Sequence, residues 1–145
     1  MARVQPVLAS VGGFSIEGAS VPIVNGWMSE LRAIRYRYSR QWQTPSEIEA
    51  TKVADCKGKA LTLYEKLQLN GATNVRFVIG RHRAGDWFTH AWIEWDTAGG
   101  TYVLDPTFSR AAEPAPQDSK TYIPLFAYEG ALKYRAIAAR LFAQN

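Results

Sequence analysis

The hydrophobic pattern of this chain changes from helical to strand periodicity at one dipeptide, Asn70-Gly71. Before it, apolar residues in Asp55–Leu69 recur at i, i+3, i+4 and i+7, which predicts a helix with one buried stripe. The stripe residues are Ala60, Leu63, Tyr64 and Leu67. After the dipeptide, β-branched and aromatic residues predict strands at Asn74–Gly80, Phe88–Trp95 and Gly100–Asp105. Strands grouped after helices, without βαβ alternation, indicate an α+β domain.

Local signals predict the remaining elements. Thr44-Pro45-Ser46-Glu47 is typical of a helix start, with threonine as the cap and glutamate three residues later. The other predictions are a helix over Trp27–Ser39 capped by Asn25, a turn at Asp96–Gly100, an exposed loop at 111–118, a strand at Thr121–Tyr128 and a C-terminal helix at 129–143. Residues 1–26 are expected to form short strands or an extended lead-in. The length and the 47% apolar content predict one globular domain, 1–145, with residues 1–41 as an N-terminal extension.

The chain carries a formal net charge of +4, which raises the question of a nucleic-acid partner. In its densest basic stretch, Arg32–Arg40, tyrosines alternate with arginines, and acidic residues are interspersed along most of the rest of the chain. We therefore interpret the basic residues as solvated faces and expect no nucleic-acid partner. An acidic substrate or an anionic surface remains open as a partner.

Other classes are limited by the cysteine content and by the hydrophobic runs. The single cysteine, Cys56, cannot form an internal disulfide, and with two histidines the sequence predicts neither a structural metal site nor a cofactor. The first residues lack the apolar region of a signal peptide, and no apolar run approaches the ~20 residues of a membrane helix. We expect a cytoplasmic protein without a membrane partner, or a periplasmic or secreted one if a leader has been removed. Its oligomeric state is not predicted.

Cys56 lies at the predicted N-terminus of the helix, on the same face as the buried stripe. A helix N-terminus favours the thiolate form of a cysteine, which is the nucleophilic form. The backbone N–H of Cys56 could also serve an oxyanion hole. The alternative is a buried, inert cysteine, which is common in proteins.

His90 and Asp105 can meet on the predicted sheet. His90 lies in an alternating aromatic strand, and a pairing of Trp95 with Gly100 would place it directly opposite Asp105. A carboxylate beside the imidazole could orient a histidine that activates a thiol. The alternatives are a core histidine and an Asp-Pro turn that ends a strand.

Three segments resemble the core motifs of the transglutaminase-like superfamily, in the order Cys, His, Asp. They are Ala54–Ala60, Thr89–Trp95 and Tyr102–Thr107. The upstream Trp42-Gln43-Thr44-Pro45 is similar to the stretch that precedes the cysteine in bacterial transglutaminase-like cysteine peptidases. The resemblance covers about residues 42–108.

This resemblance implies a papain-like core, in which the nucleophile begins a helix that packs on an antiparallel sheet. It also implies the roles of the three residues: Cys56 as nucleophile, His90 as base and acid, and Asp105 as the group that orients the imidazole. Trp42, Gln41 and Gln43 become candidate oxyanion donors, and Trp92 a candidate cleft residue. Calcium-dependent members carry acidic residues directly after the cysteine. Since Lys57 and Gly58 follow Cys56, we expect no calcium requirement.

The implied function is a cysteine hydrolase that cleaves a peptide or isopeptide bond in a protein or peptide substrate. The same triad could transfer the acyl group to an amine, and a peptidoglycan-type substrate also remains open. A non-catalytic peptide-binding module on the same fold is the alternative from another class. His82 is the fallback base if His90 does not serve.

Overall fold

The computed structural model describes residues 19–118, 120–138 and 141–144. In these ranges the chain forms three helices and nine strands. The helices are α1 (Val21–Ala33), α2 (Pro45–Thr51) and α3 (Cys56–Leu69). The strands are β1 (Arg35–Tyr36), β2 (Val53–Ala54), β3 (Val75–Arg83), β4 (His90–Thr97), β5 (Gly100–Leu104), β6 (Glu113–Pro114), β7 (Thr121–Glu129), β8 (Leu132–Ala138) and β9 (Leu141–Gln144). None of the described helices is long and apolar enough to cross a membrane.

One antiparallel sheet organises the fold, with the strand order β6-β5-β4-β3-β7-β8-β9. A small parallel pair, β1 with β2, precedes α3. Alternate side chains of β3 and β4 point to opposite faces of the sheet. Phe77 and Ile93 belong to the core shared with the helices, whereas Val78 and Trp92 belong to a second, smaller core. The predicted α+β architecture is confirmed.

Helix α3 forms as the sequence predicts. Its N-cap is Asp55, whose carboxylate accepts a hydrogen bond from the Gly58 N–H at 3.1 Å. It ends at Asn70 and Gly71, where Gly71 has a positive φ of 78°. All four residues of the predicted stripe are buried. The predicted start of α2 is also confirmed, with a complete capping box between Thr44 and Glu47.

The first helix lies earlier in the chain than predicted, at Val21–Ala33 rather than Trp27–Ser39. Ser20 is the N-cap and Pro22 lies in the first turn, where proline is favourable. Asn25 is therefore inside the helix, and its side chain accepts a hydrogen bond from the Ala112 N–H at 2.7 Å. Most of the predicted lead-in, residues 1–18, lies outside the described residues.

The C-terminal helix predicted at 129–143 is wrong, because this segment forms strands β8 and β9. A turn with Gly130 at φ 56° brings β8 back along β7, where Glu129 pairs with Leu132. The Ala, Leu, Lys and Arg residues there favour a helix, but their preference is only a few tenths of a kcal/mol per residue. Ladder hydrogen bonds along β7 and the packing of Tyr134 against the second core favour the strand.

One further predicted strand, the predicted loop at 111–118 and the hairpin are found with small changes. The strand predicted at Thr121–Tyr128 is β7, and the loop predicted at 111–118 contains the two-residue β6 beside β5. The turn between β4 and β5 is tighter than predicted, because Thr97 rather than Trp95 pairs with Gly100. The predicted register is therefore wrong by two residues.

Candidate active site

The N-terminus of α3 places Cys56 at the bottom of a cleft, where its side chain is largely buried. The cap residue Asp55 holds this turn from two sides. Its Oδ1 accepts from Gly58, and its Oδ2 accepts from the Ser39 N–H at 3.1 Å and from the Lys57 ammonium. The first turn of the helix, and with it the thiol, is therefore fixed to the segment that follows β1.

His90 begins β4, and its Nε2 lies 2.8 Å from Oδ2 of Asp105. Asp105 directly follows the end of β5 and reaches His90 diagonally, because the register places it two positions from the predicted partner. A register error of an even number of residues leaves every side chain on its face of the sheet, so the two side chains still meet.

Asp105 is fully buried and accepts two more hydrogen bonds. The Tyr122 hydroxyl donates to Oδ2 at 2.8 Å, and the Thr107 N–H donates to Oδ1 at 3.1 Å. Tyr122 has a φ of 50°, which is an unfavourable backbone conformation for a bulky residue. Asp105 is thus held as an acceptor by groups from two strand ends.

The His90 imidazole makes its second side-chain contact with the Cys56 thiol. Burial alone would lower the pKa of His90, but the hydrogen bonds and charges of Asp105 and Cys56 raise it to about 9. Since Nε2 bonds Asp105, the ring nitrogen that remains for the thiol is Nδ1. The structure therefore brings Cys56, His90 and Asp105 together in one chain of contacts.

A cleft of about 980 Å³ opens at this chain of contacts. Its walls come from the end of α1, the β1 segment and the first turn of α3. The chain that leads into β4 and the chain that follows β5 complete them. Trp87, Phe88 and Phe108 are exposed aromatic residues at its edge. A concave, partly apolar space beside a reactive side chain is the usual form of a substrate site.

The oxyanion and cleft candidates take different places. Trp42 lines the cleft, but Gln41 and Gln43 do not belong to its lining. Trp92 is fully buried in the second core, stacked on His90 and donating from Nε1 to Glu94 at 3.1 Å. The cleft position suggested for Trp92 therefore gives way to a core position, since an indole with its N–H satisfied inside the sheet cannot face a substrate.

Tyr36 is a site residue that the sequence reasoning missed. Its register with Ala54 across the β1–β2 pair brings its hydroxyl into contact with the backbone and the thiol of Cys56. Burial, and then the nearby charges of Cys56 and Asp55, raise the pKa of Tyr36. Its position within the arginine–tyrosine stretch was visible, but nothing local pairs that stretch with the segment before Cys56.

His82 lies beside His90 rather than in the cleft. Its ring stacks on Phe108 with centroids 4.4 Å apart, and lies 5.7 Å from the His90 ring. Burial and the neighbouring His90 lower the pKa of His82. Of the two histidines, it is therefore His90 that is hydrogen-bonded to the Asp105 carboxylate.

The residues around Asp55 do not fit a calcium site. Calcium requires six to eight oxygen ligands, several of them carboxylates. Here both Asp55 oxygens accept hydrogen bonds, and one of the donors is the ammonium of Lys57, which carries its own positive charge. Among the described residues there is also no group of three or more histidine, cysteine or acidic side chains that could hold a metal.

Comparison with protein-family models and with curated proteins finds no match. Solved structures do resemble this chain. EGTA-treated Legionella pneumophila LapG is 15% identical, with a TM-score of 0.71 over 97% of this chain and 77% of LapG. The calcium-bound form of LapG gives a TM-score of 0.70 at 15% identity, over 92% of this chain and 76% of LapG.

A proposed cysteine protease from Cytophaga hutchinsonii is 14% identical, with a TM-score of 0.53 over 90% of this chain and 43% of that protein. At such low identity these likenesses establish the fold. The chain has the transglutaminase-like, papain-like α+β fold that its three motifs predict.

Proposed function

We propose that this protein is a cysteine hydrolase that cleaves an amide bond in a protein or peptide through an acyl-enzyme on Cys56. The observation that carries the proposal is the imidazole of His90, which contacts the Cys56 thiol on one side and bonds Asp105 at 2.8 Å on the other. The fold shared with a proposed cysteine protease adds support.

The reaction begins once Cys56 has given its proton to His90, which leaves Cys56 as a thiolate. The thiolate Sγ attacks the carbonyl carbon, and the carbonyl oxygen becomes an oxyanion. The Cys56 N–H and the Tyr36 hydroxyl, which lie together beside the thiol, would donate hydrogen bonds to that oxygen. When the intermediate collapses, the C–N bond breaks and His90 gives its proton to the leaving amine. His90 then takes a proton from water, whose oxygen attacks the thioester carbonyl carbon. The C–S bond breaks, the acid is released, and Cys56 returns to the thiolate with the proton on His90.

Asp105 keeps the His90 ring in place through both half-reactions and stabilises the imidazolium. Its burial and its three hydrogen bonds hold it as an acceptor. No step needs a metal. The Asp55 oxygens already accept hydrogen bonds, one of them from the Lys57 ammonium, and this supports a calcium-independent reaction.

Acylation by p-nitrophenyl acetate tests the nucleophile and its base. We expect one acetyl group on Cys56 by mass spectrometry, lost in Cys56→Ala and slowed at least about a hundredfold in His90→Gln. His82→Gln is the matched control, because this second histidine lies near the triad without the carboxylate partner. Equal rates in the two histidine variants would contradict the assignment of His90 as the base.

The fate of the acyl group separates hydrolysis from transfer. A mixed peptide library is incubated in water enriched in oxygen-18, with and without a primary amine. Hydrolysis predicts new carboxyl termini that carry the heavy oxygen and are absent with Cys56→Ala. Products that carry the amine instead would indicate a transferase, and binding without any product would indicate a peptide-binding module.

A further inference from the structure

The charged groups that line the cleft beside Cys56 are of one sign. They are Arg32, Arg40, Lys57 and Lys59, and among the described residues no carboxylate lines the cleft. A cleft with walls of one charge concentrates ligands of the opposite charge. The substrate that fits this cleft therefore carries negative charge.

Lys59 is the most unusual of these cations. It lies one turn after Cys56 on α3, and the residue is only 2% exposed. The one hydrogen bond recorded for its ammonium within the described residues is a long one, 3.5 Å to the Arg32 carbonyl oxygen. Burial, with the nearby Arg32 charge, lowers the pKa of Lys59, although Asp105 opposes the shift. A buried ammonium without a carboxylate partner is unfavourable.

Lys57 differs from Lys59 because its ammonium is already paired with a carboxylate. Its ammonium bonds Asp55 and the Ser39 carbonyl oxygen, the latter at 3.0 Å, and it lies 5.0 Å from the Tyr38 ring centroid. Arg32, at the exposed end of α1, has no acidic partner among the described residues. Arg40 also lines the cleft, but Lys59 and Arg32 are the two that lie together, because the Lys59 ammonium contacts the Arg32 carbonyl oxygen. They are therefore the adjacent cations that one ligand carboxylate could neutralise.

We propose that Lys59 and Arg32 bind a carboxylate of the substrate beside the bond that Cys56 attacks. Side chains at i and i+3 of a helix lie ~5–6 Å apart at Cβ, so this carboxylate belongs to a residue that adjoins the scissile bond. The substrate class is then an acidic polypeptide segment. This inference rests on the hydrolase function proposed above.

Two alkylating reagents of nearly equal size test the inference without a known substrate. Iodoacetamide is neutral, whereas iodoacetate carries the carboxylate that the site would bind. The ratio of their rates at Cys56 reports attraction of the anion, because any change in the amount of thiolate affects both reagents. We expect Lys59→Met and Arg32→Gln each to lower the iodoacetate/iodoacetamide ratio by up to about tenfold.

Arg35→Gln is the matched control, since Arg35 is exposed on β1 but does not line the cleft. It should leave the ratio within about twofold of the wild type, because charges on the open surface are screened. Arg32→Gln keeps the test valid if the buried Lys59→Met variant does not fold. A ratio unchanged in every folded cleft variant would overturn the inference.

The proposed hydrolase can fail separately. A Cys56 that reacts slowly with iodoacetamide, whatever the state of Lys59, would contradict the activated thiol. A fast reaction with both reagents and no dependence on the two cations would leave the thiol activated and remove the carboxylate site.

Peptidyl vinyl sulfones then identify the source of the carboxylate. One pair differs only by Glu against Gln next to the electrophile, and a second pair by a free against an amidated chain end. Faster inactivation by the acidic member of either pair, lost in Arg32→Gln, supports the site and identifies its ligand. Equal inactivation within both pairs would contradict it.

Discussion

At the scale of single residues, the Asp105 carboxylate decides how the histidine can act. Its Oδ2 is shared by the His90 ring and the Tyr122 hydroxyl, each at 2.8 Å. The desolvation cost of a buried carboxylate is offset only when its lone pairs are used. Tyr122 therefore helps to keep Asp105 in the position that His90 needs.

We predict that Tyr122→Phe slows acetylation of Cys56 by p-nitrophenyl acetate by about tenfold and costs about 1–2 kcal/mol of unfolding free energy. The reason is the loss of one hydrogen bond to a buried carboxylate, with the ring left in place. Tyr134→Phe is the control, because Tyr134 packs on the same core and has no hydrogen-bond partner recorded among the described residues. Equal effects of the two substitutions on acetylation would contradict a positioning role for Tyr122.

The raised pKa of His90 predicts how stability depends on pH. A group whose folded pKa, about 9, exceeds the unfolded value of 6.5 adds stability below the unfolded pKa, and this stability is lost as pH rises through the folded pKa. We predict that Cys56→Ala loses of the order of 1–2 kcal/mol of unfolding free energy between those values, since the Asp105 contact remains.

Urea unfolding of Cys56→Ala across this pH range measures that loss. Cys56→Ala combined with His90→Gln should lack it. If the doubly substituted protein showed the same loss, another group would be responsible.

The sequence could predict that Cys56, His90 and Asp105 lie together, because each lies in a short motif and the motifs keep their order. Tyr36, Lys59 and Tyr122 could not be identified in this way. Tyr36 reaches Cys56 through a two-residue parallel pairing, and Tyr122 reaches Asp105 from a strand on the other side of β3. Such contacts depend on the order of strands in the sheet, which local periodicity does not contain.

At the scale of elements, α3 depends on its first turn. Asp55 caps it from a buried position and also accepts from Ser39, whereas Thr44 caps α2 at the surface. We predict that Asp55→Ala costs about 2 kcal/mol of unfolding free energy and Thr44→Ala about 1 kcal/mol. Chemical denaturation measures both, and equal costs would contradict the second role of Asp55.

The contact between β3 and β7 depends on Gly80. A Cβ there would lie far inside van der Waals contact with the Ile123 carbonyl oxygen and 2.8 Å from the Trp92 ring. We predict that Gly80→Ala costs at least about 3 kcal/mol of unfolding free energy, because backbone must move.

Gly26→Ala in α1 is the control for Gly80→Ala. Apart from its chain neighbours and the backbone of α1 itself, no described heavy atom lies within 4 Å of the added methyl group. Helix propensity then predicts a stabilisation of up to about 1 kcal/mol. A small cost at Gly80 in the same denaturation experiment would mean that β3 and β7 can separate without loss.

The elements differ in how well the sequence predicts them. The periodicity of α3 and the caps of both later helices are local signals. They give the bounds of α3 and the start of α2 within about two residues. The segment at 132–138 has helical composition but pairs with β7, because an unpaired sheet edge lies within reach, and β9 then pairs with β8. The predicted register of β4 and β5 depended on the length assumed for the turn. Pairing Trp95 with Gly100 requires four turn residues, whereas the observed turn has two, so every pair is shifted by two positions.

At the scale of the whole molecule, a helix N-terminus and the end of a sheet meet at one cleft. Helix α3 brings the thiol, and β4 with the chain after β5 brings the imidazole and the carboxylate. The chain has a net charge of +4, and four of its cations, from three segments, line this cleft. The three motifs predicted the fold. The positive charge of the cleft could not be predicted in this way, because its cations lie on segments that only the fold brings together.

The central claim is that Cys56 is activated by His90, and the rate of Cys56 alkylation by iodoacetamide against pH tests it most directly. With the imidazolium of His90 retained up to pH about 9, we predict that the wild type reacts at neutral pH at least about tenfold faster than a free cysteine, whose pKa is ~8.5. In His90→Ala, the neutral-pH rate should fall to that of an ordinary thiol, with the circular dichroism spectrum unchanged. A Cys56 that is unreactive, or equally reactive in both proteins, would contradict the account and indicate a buried structural thiol in a binding module.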